Sequence, residues 1–143
     1  MENLLIRQVQ LDDTQRIAEI YIPYITGSTI TFEEQPVTAE EMQRRIGSIL
    51  AIPLPWLCAI HEGTLIGYAY ASRWRERSAY RFVAETTIYM DSKHSGQGFG
   101  YELYRELLNR VKKAGIRIAI GVIALPNPSS VTLHEKLGFI KAG

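Results

Sequence analysis

At 143 residues, 46% hydrophobic, 22% charged and 10% aromatic, the chain has the length of one domain and enough apolar content for a core. Sixteen Lys and Arg against fifteen Asp and Glu leave a net charge of +1, which excludes a global electrostatic pull toward nucleic acid or anionic membrane. Eleven Gly, six Pro and one Cys exclude a collagen-like chain, an intramolecular disulfide and a cysteine zinc cluster. The N-terminal stretch MENLLIRQVQLDD lacks the basic start and apolar run of a signal peptide. No apolar run approaches the roughly 20 residues that span a bilayer. A soluble, cytoplasmic protein without nucleic-acid or membrane partners is the expectation.

In chain order, Leu4–Val9 reads as a short strand. Asp12 and Gln15 have capping-box spacing and predict a helix start. Ile17, Ile20, Tyr21, Tyr24 and Ile25 continue it at helical spacing, and Pro23 inside that pattern predicts a kink or an end. Thr38 and Glu41 predict a second helix to about Leu50, closed by Pro53 and Pro55. Trp56–His61 and Thr64–Ser72 flank Glu62-Gly63 as a hairpin. Tyr80–Met90 is a long strand of β-branched and aromatic residues. A helix from about Gly98 to Ala114 has Tyr104, Leu107, Leu108 and Val111 as its apolar face and Gly115 as its stop. Ile116–Leu125 reads as a fully buried strand. Ser129 or Ser130 caps a short helix ending near Leu137, with Gly138 as its stop, and Phe139 starts another strand. The order βααβββαβα predicts an α/β fold, a mixed sheet flanked by helices.

The segment Ser95-Gly96-Gln97-Gly98-Phe99-Gly100 lies between a strand and an amphipathic helix. Glycines let backbone amides approach a ligand, and a helix start offers free N–H groups and partial positive charge. That combination is either an anion cradle or a glycine-rich turn. It is not a Walker loop, because Tyr101-Glu102 follows Gly100, and it lacks the spacing of a dinucleotide fingerprint.

The chain resembles the GNAT N-acetyltransferase family, and within it the phosphinothricin and methionine sulfoximine acetyltransferases. The family's Arg/Gln-x-x-Gly-x-Gly/Ala loop appears as Ser95-x-x-Gly98-x-Gly100, with Ser95 departing from the long polar residue. Its Asn-x-x-Ala-x-x-x-Tyr-x-x-x-Gly-Phe pattern appears as Asn127, Ser130, His134, Gly138 and Phe139, with Ser for Ala and His for Tyr. The subgroup's signatures are matched by Trp74-Arg75-Glu76-Arg77-Ser78-Ala79-Tyr80, Ala84-Glu85-Thr86-Thr87-Ile88-Tyr89, Leu125-Pro126-Asn127 and His134-Glu135-Lys136-Leu137-Gly138. The likeness runs from about Ile6 to the last residue. Family members continue for another pair of strands beyond the Gly-Phe, so the resemblance implies a single domain, 1–143, with its C-terminal strands missing.

The resemblance implies the GNAT fold and acetyl transfer from acetyl-CoA, without a metal, to the amine of a small amino-acid-like acceptor such as phosphinothricin or methionine sulfoximine. Acetylation of another amine, such as a protein N-terminus or a polyamine, is one alternative. A non-catalytic CoA-binding sensor is another. A homodimer is implied by family habit. Glu85 is a carboxylate in an apolar strand, either an outward-facing charge or a general base whose pKa burial raises; the subgroup match implies the base. His134 is implied as the group that protonates the leaving thiolate or assists deprotonation, the alternative being a packed or surface histidine. The backbone at Ile88, Tyr89 and Met90 is implied beside the pantetheine arm, and Gly96, Gln97, Gly98, Phe99, Gly100 and Tyr101 around the pyrophosphate. Asn127 either bonds the pantetheine amides or only forms a turn between two prolines. Arg73, Arg75 and Arg77, with Tyr80, flank the acceptor side, as clamps for an acidic group or as a solvated loop. Phe32 is an acceptor-pocket aromatic or a core residue. The histidines have no metal-ligand spacing. Cys58, Tyr104 and Leu108 read as core.

Overall fold

The computed structural model describes residues 4–26, 38–51, 54–73, 82–94, 98–121 and 128–140. Five strands form one sheet in chain order: β1 (Leu4–Gln8), β2 (Trp56–His61), β3 (Thr64–Arg73), β4 (Val83–Met90) and β5 (Ile118–Gly121). Neighbours from β1 to β4 are antiparallel, and β4 and β5 are parallel. A parallel pair needs a crossover, which α3 (Phe99–Lys113) supplies. Helices α1 (Thr14–Thr26) and α2 (Ala39–Leu50) cover one face of the sheet, α3 the other, and α4 (Pro128–Lys136) follows β5. This is the element order and the mixed, mostly antiparallel sheet that the sequence leads one to expect.

Strand alternation divides the core in two. Trp56, Cys58 and Tyr68 meet Ile17, Tyr21, Met42 and Ile46 of α1 and α2. Leu57, Ala59, Ile66 and Ala84 meet Leu103, Tyr104, Leu107 and Val111 of α3. The predicted hairpin closes in register, His61 opposite Thr64, with a bulge between Ala59 and Ile60. Gly67 lies opposite Met90. A Cβ there would lie 2.3 Å from Met90 Sδ and 3.1 Å from the Tyr89 carbonyl oxygen. The thioether end can swing away, but the carbonyl belongs to the strand. Gly67→Ala is therefore expected to destabilise the fold by about 1–3 kcal/mol through overpacking. Urea unfolding checks this, and an unchanged midpoint would show that the β3–β4 contact yields freely.

Several boundaries differ from the sequence reading. Helix α1 is preceded by a 3₁₀ turn, Leu11–Asp13, and its box joins Gln10 and Asp13 rather than Asp12 and Gln15. The Gln10 N–H donates to Asp13 Oδ2 at 2.7 Å, and the Asp13 N–H donates to the Gln10 carbonyl at 2.9 Å. Arg7 decides the choice, donating from Nη1 and Nη2 to both Asp13 oxygens at 2.8 and 2.9 Å. That pairing holds the buried Asp13 carboxyl below the usual range. Helix α1 also runs past Pro23 to Thr26. Proline that close to the end forfeits one intrahelical bond and leaves little helix to disrupt. Helix α2 starts as predicted, with Thr38 Oγ1 accepting from the Glu41 N–H at 3.1 Å. Strand β4 begins at Val83.

Strand β5 is not buried along its described length. Ile118 is 55% exposed, because β5 is the last described strand and one of its edges has no neighbour among the described residues. Helix α4 opens at Pro128, ahead of the serines, a position where the missing N–H costs nothing. Phe139 starts no strand among the described residues; it packs on Tyr104 and His134 instead. Gly115 and Gly138 both lie at positive φ, as helix stops require. Among the described residues no helix is long and apolar enough to cross a membrane.

Candidate active site

Glu85 lies in β4 between Ala84 and Thr86, both buried toward α3. Alternation turns Glu85 to the opposite face, beside its cross-strand neighbour Ser72. It is half-buried, and desolvation raises its carboxyl pKa. On the same face a cavity of about 250 Å³ opens between the sheet and α2, lined by Tyr21, Arg45, Trp56, Tyr68, Tyr70 and Ser72.

Its aromatic wall is stacked: Trp56 lies 4.2 Å from Tyr70 and 5.6 Å from Tyr68, both at 16°. The Trp56 Nε1–H is buried and finds no acceptor among the described residues, a cost that a bound group or water would relieve. Burial pushes the Tyr70 hydroxyl up to about 12; Tyr89 and the Glu85 charge add to the rise, while Thr87 and Arg45 oppose it. One hydroxyl thus feels the Glu85 carboxylate and the Arg45 guanidinium together. Arg45 also approaches Glu41 Oε1 at 3.4 Å. Sequence reasoning passed over Arg45, because in the pattern of α2 it is one of several charges on an exposed helix face. The signal that could have found it is its place one position before the buried Ile46.

The end of β4, ahead of the glycine segment, is anchored by Asp91. After β4, Asp91 donates its N–H to the Ile66 carbonyl at 2.7 Å and accepts from the Lys93 N–H at 3.1 Å. Arg16 of α1 reaches Asp91 Oδ2 at 2.6 Å and the Leu65 carbonyl at 2.9 Å. Burial pushes the Asp91 carboxyl up, but Lys93 N–H and Arg16 outweigh it and hold it below its ordinary value. Gly98 then caps α3 at φ 83°, ψ −2°, a left-handed conformation open to glycine and costly to other residues. Phe99 is buried against the His61 ring, 4.7 Å between centroids, which fixes the axis of α3. A Cβ on Gly100 would sit 3.6 Å from Met90 Cγ and 4.0 Å from Ile88 Cδ1, so the helix start lies directly over the end of β4. Tyr101 is half-buried under the Arg105 guanidinium, 5.8 Å from its ring centre. The first-turn N–H groups of α3 and the positive end of its dipole favour a negative charge at this end.

Strand β4 pairs with the described part of β5 from Val83↔Ile118 to Thr86↔Gly121. His134 is buried against Gly121, the last described residue of β5, its Nε2 2.9 Å from the Tyr104 hydroxyl oxygen. Arg73 ends β3 opposite Ala84, exposed and on the α3 face, away from Glu85. Phe32, Arg75, Arg77, Tyr80, Gly96, Gln97 and Asn127 lie outside the described residues. Cys58 is buried 3.8 Å from Asp13 Oδ2, and burial followed by the Asp13 charge pushes its thiol up to about 12, so it is no nucleophile. Among the described residues no three His, Cys, Asp or Glu side chains converge as a metal set.

The model of the Acetyltransferase (GNAT) family matches residues 15–139. A phosphinothricin N-acetyltransferase of Streptomyces viridochromogenes is 37% identical over 138 residues, covering 96% of this chain and 75% of that protein. One of Alcaligenes faecalis is 38% identical over 139 residues, covering 96% and 71%. The crystal structure of a GNAT superfamily phosphinothricin acetyltransferase from Sinorhizobium meliloti, in complex with AcCoA, superposes with a TM-score of 0.95 at 39% identity, covering 99% of this chain and 77% of that one. With the matched residues running from the second residue of α1 to Phe139, the chain belongs to the GNAT acetyltransferase family.

Proposed function

We propose that this chain transfers an acetyl group from acetyl-CoA to the primary amine of a small amino-acid-like acceptor, of the class of phosphinothricin and methionine sulfoximine. The observation that supports the acceptor class is a cavity lined by Arg45, Tyr70 and Ser72, with Glu85 on the same face of the sheet as the cross-strand neighbour of Ser72. A carboxylate with a raised pKa suits the ammonium that must lose a proton, and a guanidinium suits the acidic group of the same molecule.

The residues present fit acetyl-CoA. The αL glycine at the start of α3 and the positive end of the helix dipole suit a pyrophosphate. The extended backbone of Thr87–Met90, beside the start of α3, suits an extended segment such as the pantetheine arm. When bound, the coenzyme supplies an acetyl thioester. In this reading the amides of Gly96–Tyr101 hold its pyrophosphate, and the backbone of Ile88–Met90 and Asn127 hold the arm. Glu85 takes the proton from the acceptor ammonium, directly or through a water, and His134 handles a proton near the thioester. Phe32, Arg75, Arg77 and Tyr80 are proposed around the acceptor, and Arg73, on the α3 face away from Glu85, is not. A single cytoplasmic domain that pairs as a homodimer, without nucleic-acid or membrane partners, completes the proposal; the net charge of +1 supports the last part.

The acceptor class is tested by CoA thiol release with phosphinothricin and methionine sulfoximine beside the carboxamide of methionine sulfoximine, which has no acidic group. Arg45→Ala is expected to raise the KM for the acids about tenfold, the low end for a lost charge-assisted hydrogen bond at a partly exposed site. The KM for the amide and for acetyl-CoA should hold. A silent Arg45→Ala beside a responsive Arg75→Lys would move the acid-binding role to the loop arginines. Equal use of acids and amide by the wild type would refute an acid-recognising pocket.

A further inference from the structure

On the α3 face of the sheet three polar side chains meet inside an otherwise apolar cluster. Thr86, Tyr104 and His134 are 2%, 0% and 6% exposed. The Tyr104 hydroxyl oxygen lies 2.6 Å from Thr86 Oγ1 and 2.9 Å from His134 Nε2. The Tyr104 and His134 rings meet edge-on at 86°, and Phe139 packs against both. Gly121, the last described residue of β5, leaves the room this needs. A Cβ there would lie 2.6 Å from both His134 Cδ2 and Nε2.

The hydrogens of this chain can be assigned by counting. Tyr104 has one hydroxyl hydrogen and two polar neighbours. If that hydrogen points to Thr86, then His134 must donate from Nε2, and the Thr86 hydrogen is left without an acceptor among the described residues. If it points to His134, Thr86 donates to Tyr104, Tyr104 donates to Nε2, and both hydroxyl hydrogens have an acceptor. Buried polar groups favour the arrangement that leaves none unmade. Burial raises the Tyr104 pKa to about 12, with the Glu85 charge adding to it and Thr86 opposing it, so the hydroxyl keeps its hydrogen.

We infer that Tyr104 is a positioning residue, which pins the His134 imidazole beside Gly121 with Nε2 as acceptor and the proton on Nδ1. The neutral ring is thereby set to take up a proton at Nε2 and to give one only from Nδ1. The acetyltransferase reading underlies what this does for turnover, but the tautomer itself is independent of it.

The test reads the tautomer by two-bond ¹H–¹⁵N correlation in the ligand-free protein, which has three histidines to assign. The wild type should show His134 as Nδ1–H. Thr86→Val, nearly isosteric, should leave it so, because Tyr104 still donates to Nε2. Tyr104→Phe should release the ring, bring up the Nε2–H form and lower kcat about tenfold to a hundredfold, the order of a misplaced reacting group. The KM for acetyl-CoA should stay near wild type. An Nε2–H tautomer in the wild type, or a switch to it in Thr86→Val, would overturn the inference, and both readings stand even if Tyr104→Phe does not fold. So would a folded Tyr104→Phe with unchanged tautomer and kcat. A wild type that turns over no amine would count against the acetyltransferase reading and leave the tautomer to decide this one.

Discussion

Glu85→Gln is expected to cut kcat by about 10²–10⁴-fold while the affinity for acetyl-CoA holds, the usual weight of a general base. The side chain is nearly isosteric, and Glu85 points away from α3 and its glycine-capped start. The pH dependence separates this from a structural effect. Desolvation raises the Glu85 pKa, so the wild-type rate should fall on the acid side at a pH above the ordinary carboxylate range. The residual rate of the variant should lack that limb. The stability sign runs the other way from a salt-bridged acid. A carboxyl whose folded pKa is raised contributes stability below its unfolded pKa, and that contribution is lost as pH rises through the folded pKa. At neutral pH the glutamine variant should therefore unfold no earlier than the wild type. A variant that keeps wild-type turnover across the pH range would remove Glu85 from the chemistry.

Gly98→Val should act on the other substrate. At φ 83° a residue with a Cβ is strained by about 1–2 kcal/mol, and β-branching adds to it, so the fold should weaken without being lost. The larger effect is expected on binding. A branched side chain at the helix start stands between the first-turn amides and a phosphate. Losing one or two charge-assisted hydrogen bonds, at roughly 1.5–3 kcal/mol each, raises the Kd for acetyl-CoA about tenfold to several hundredfold or more. Calorimetric titration of the folded variant measures this. A Kd equal to wild type would show that the glycine serves the turn and nothing else.

What the sequence made legible was local. Thr38 caps α2 because its oxygen needs only the amide three residues on. Gly98, Gly115 and Gly138 lie where helix ends call for them, and all three have positive φ. Glu85 could be singled out because a lone acid in an apolar strand is conspicuous whatever surrounds it. The misses were non-local. Which acid caps α1 was decided by Arg7, on a strand outside the helix pattern. Strand β5 reads as buried because its residues are apolar, and only its place in the sheet exposes Ile118. Tyr104 fits an apolar helix face, and its hydroxyl is answered by partners 18 and 30 residues away. Arg45 joins the cavity only once α2 is laid over β2 and β3.

We propose that Glu85 deprotonates the α-amine of an amino-acid-like acceptor for attack on acetyl-CoA. The most direct test is mass spectrometry of the product, run beside thiol release, with phosphinothricin and methionine sulfoximine for wild type and Glu85→Gln at matched pH. One acetyl group is expected on the α-nitrogen, formed in step with free thiol by the wild type and about 10²–10⁴-fold more slowly by the variant. Acetyl-CoA consumed without an N-acetylated product, or product formed equally fast by both proteins, would contradict it.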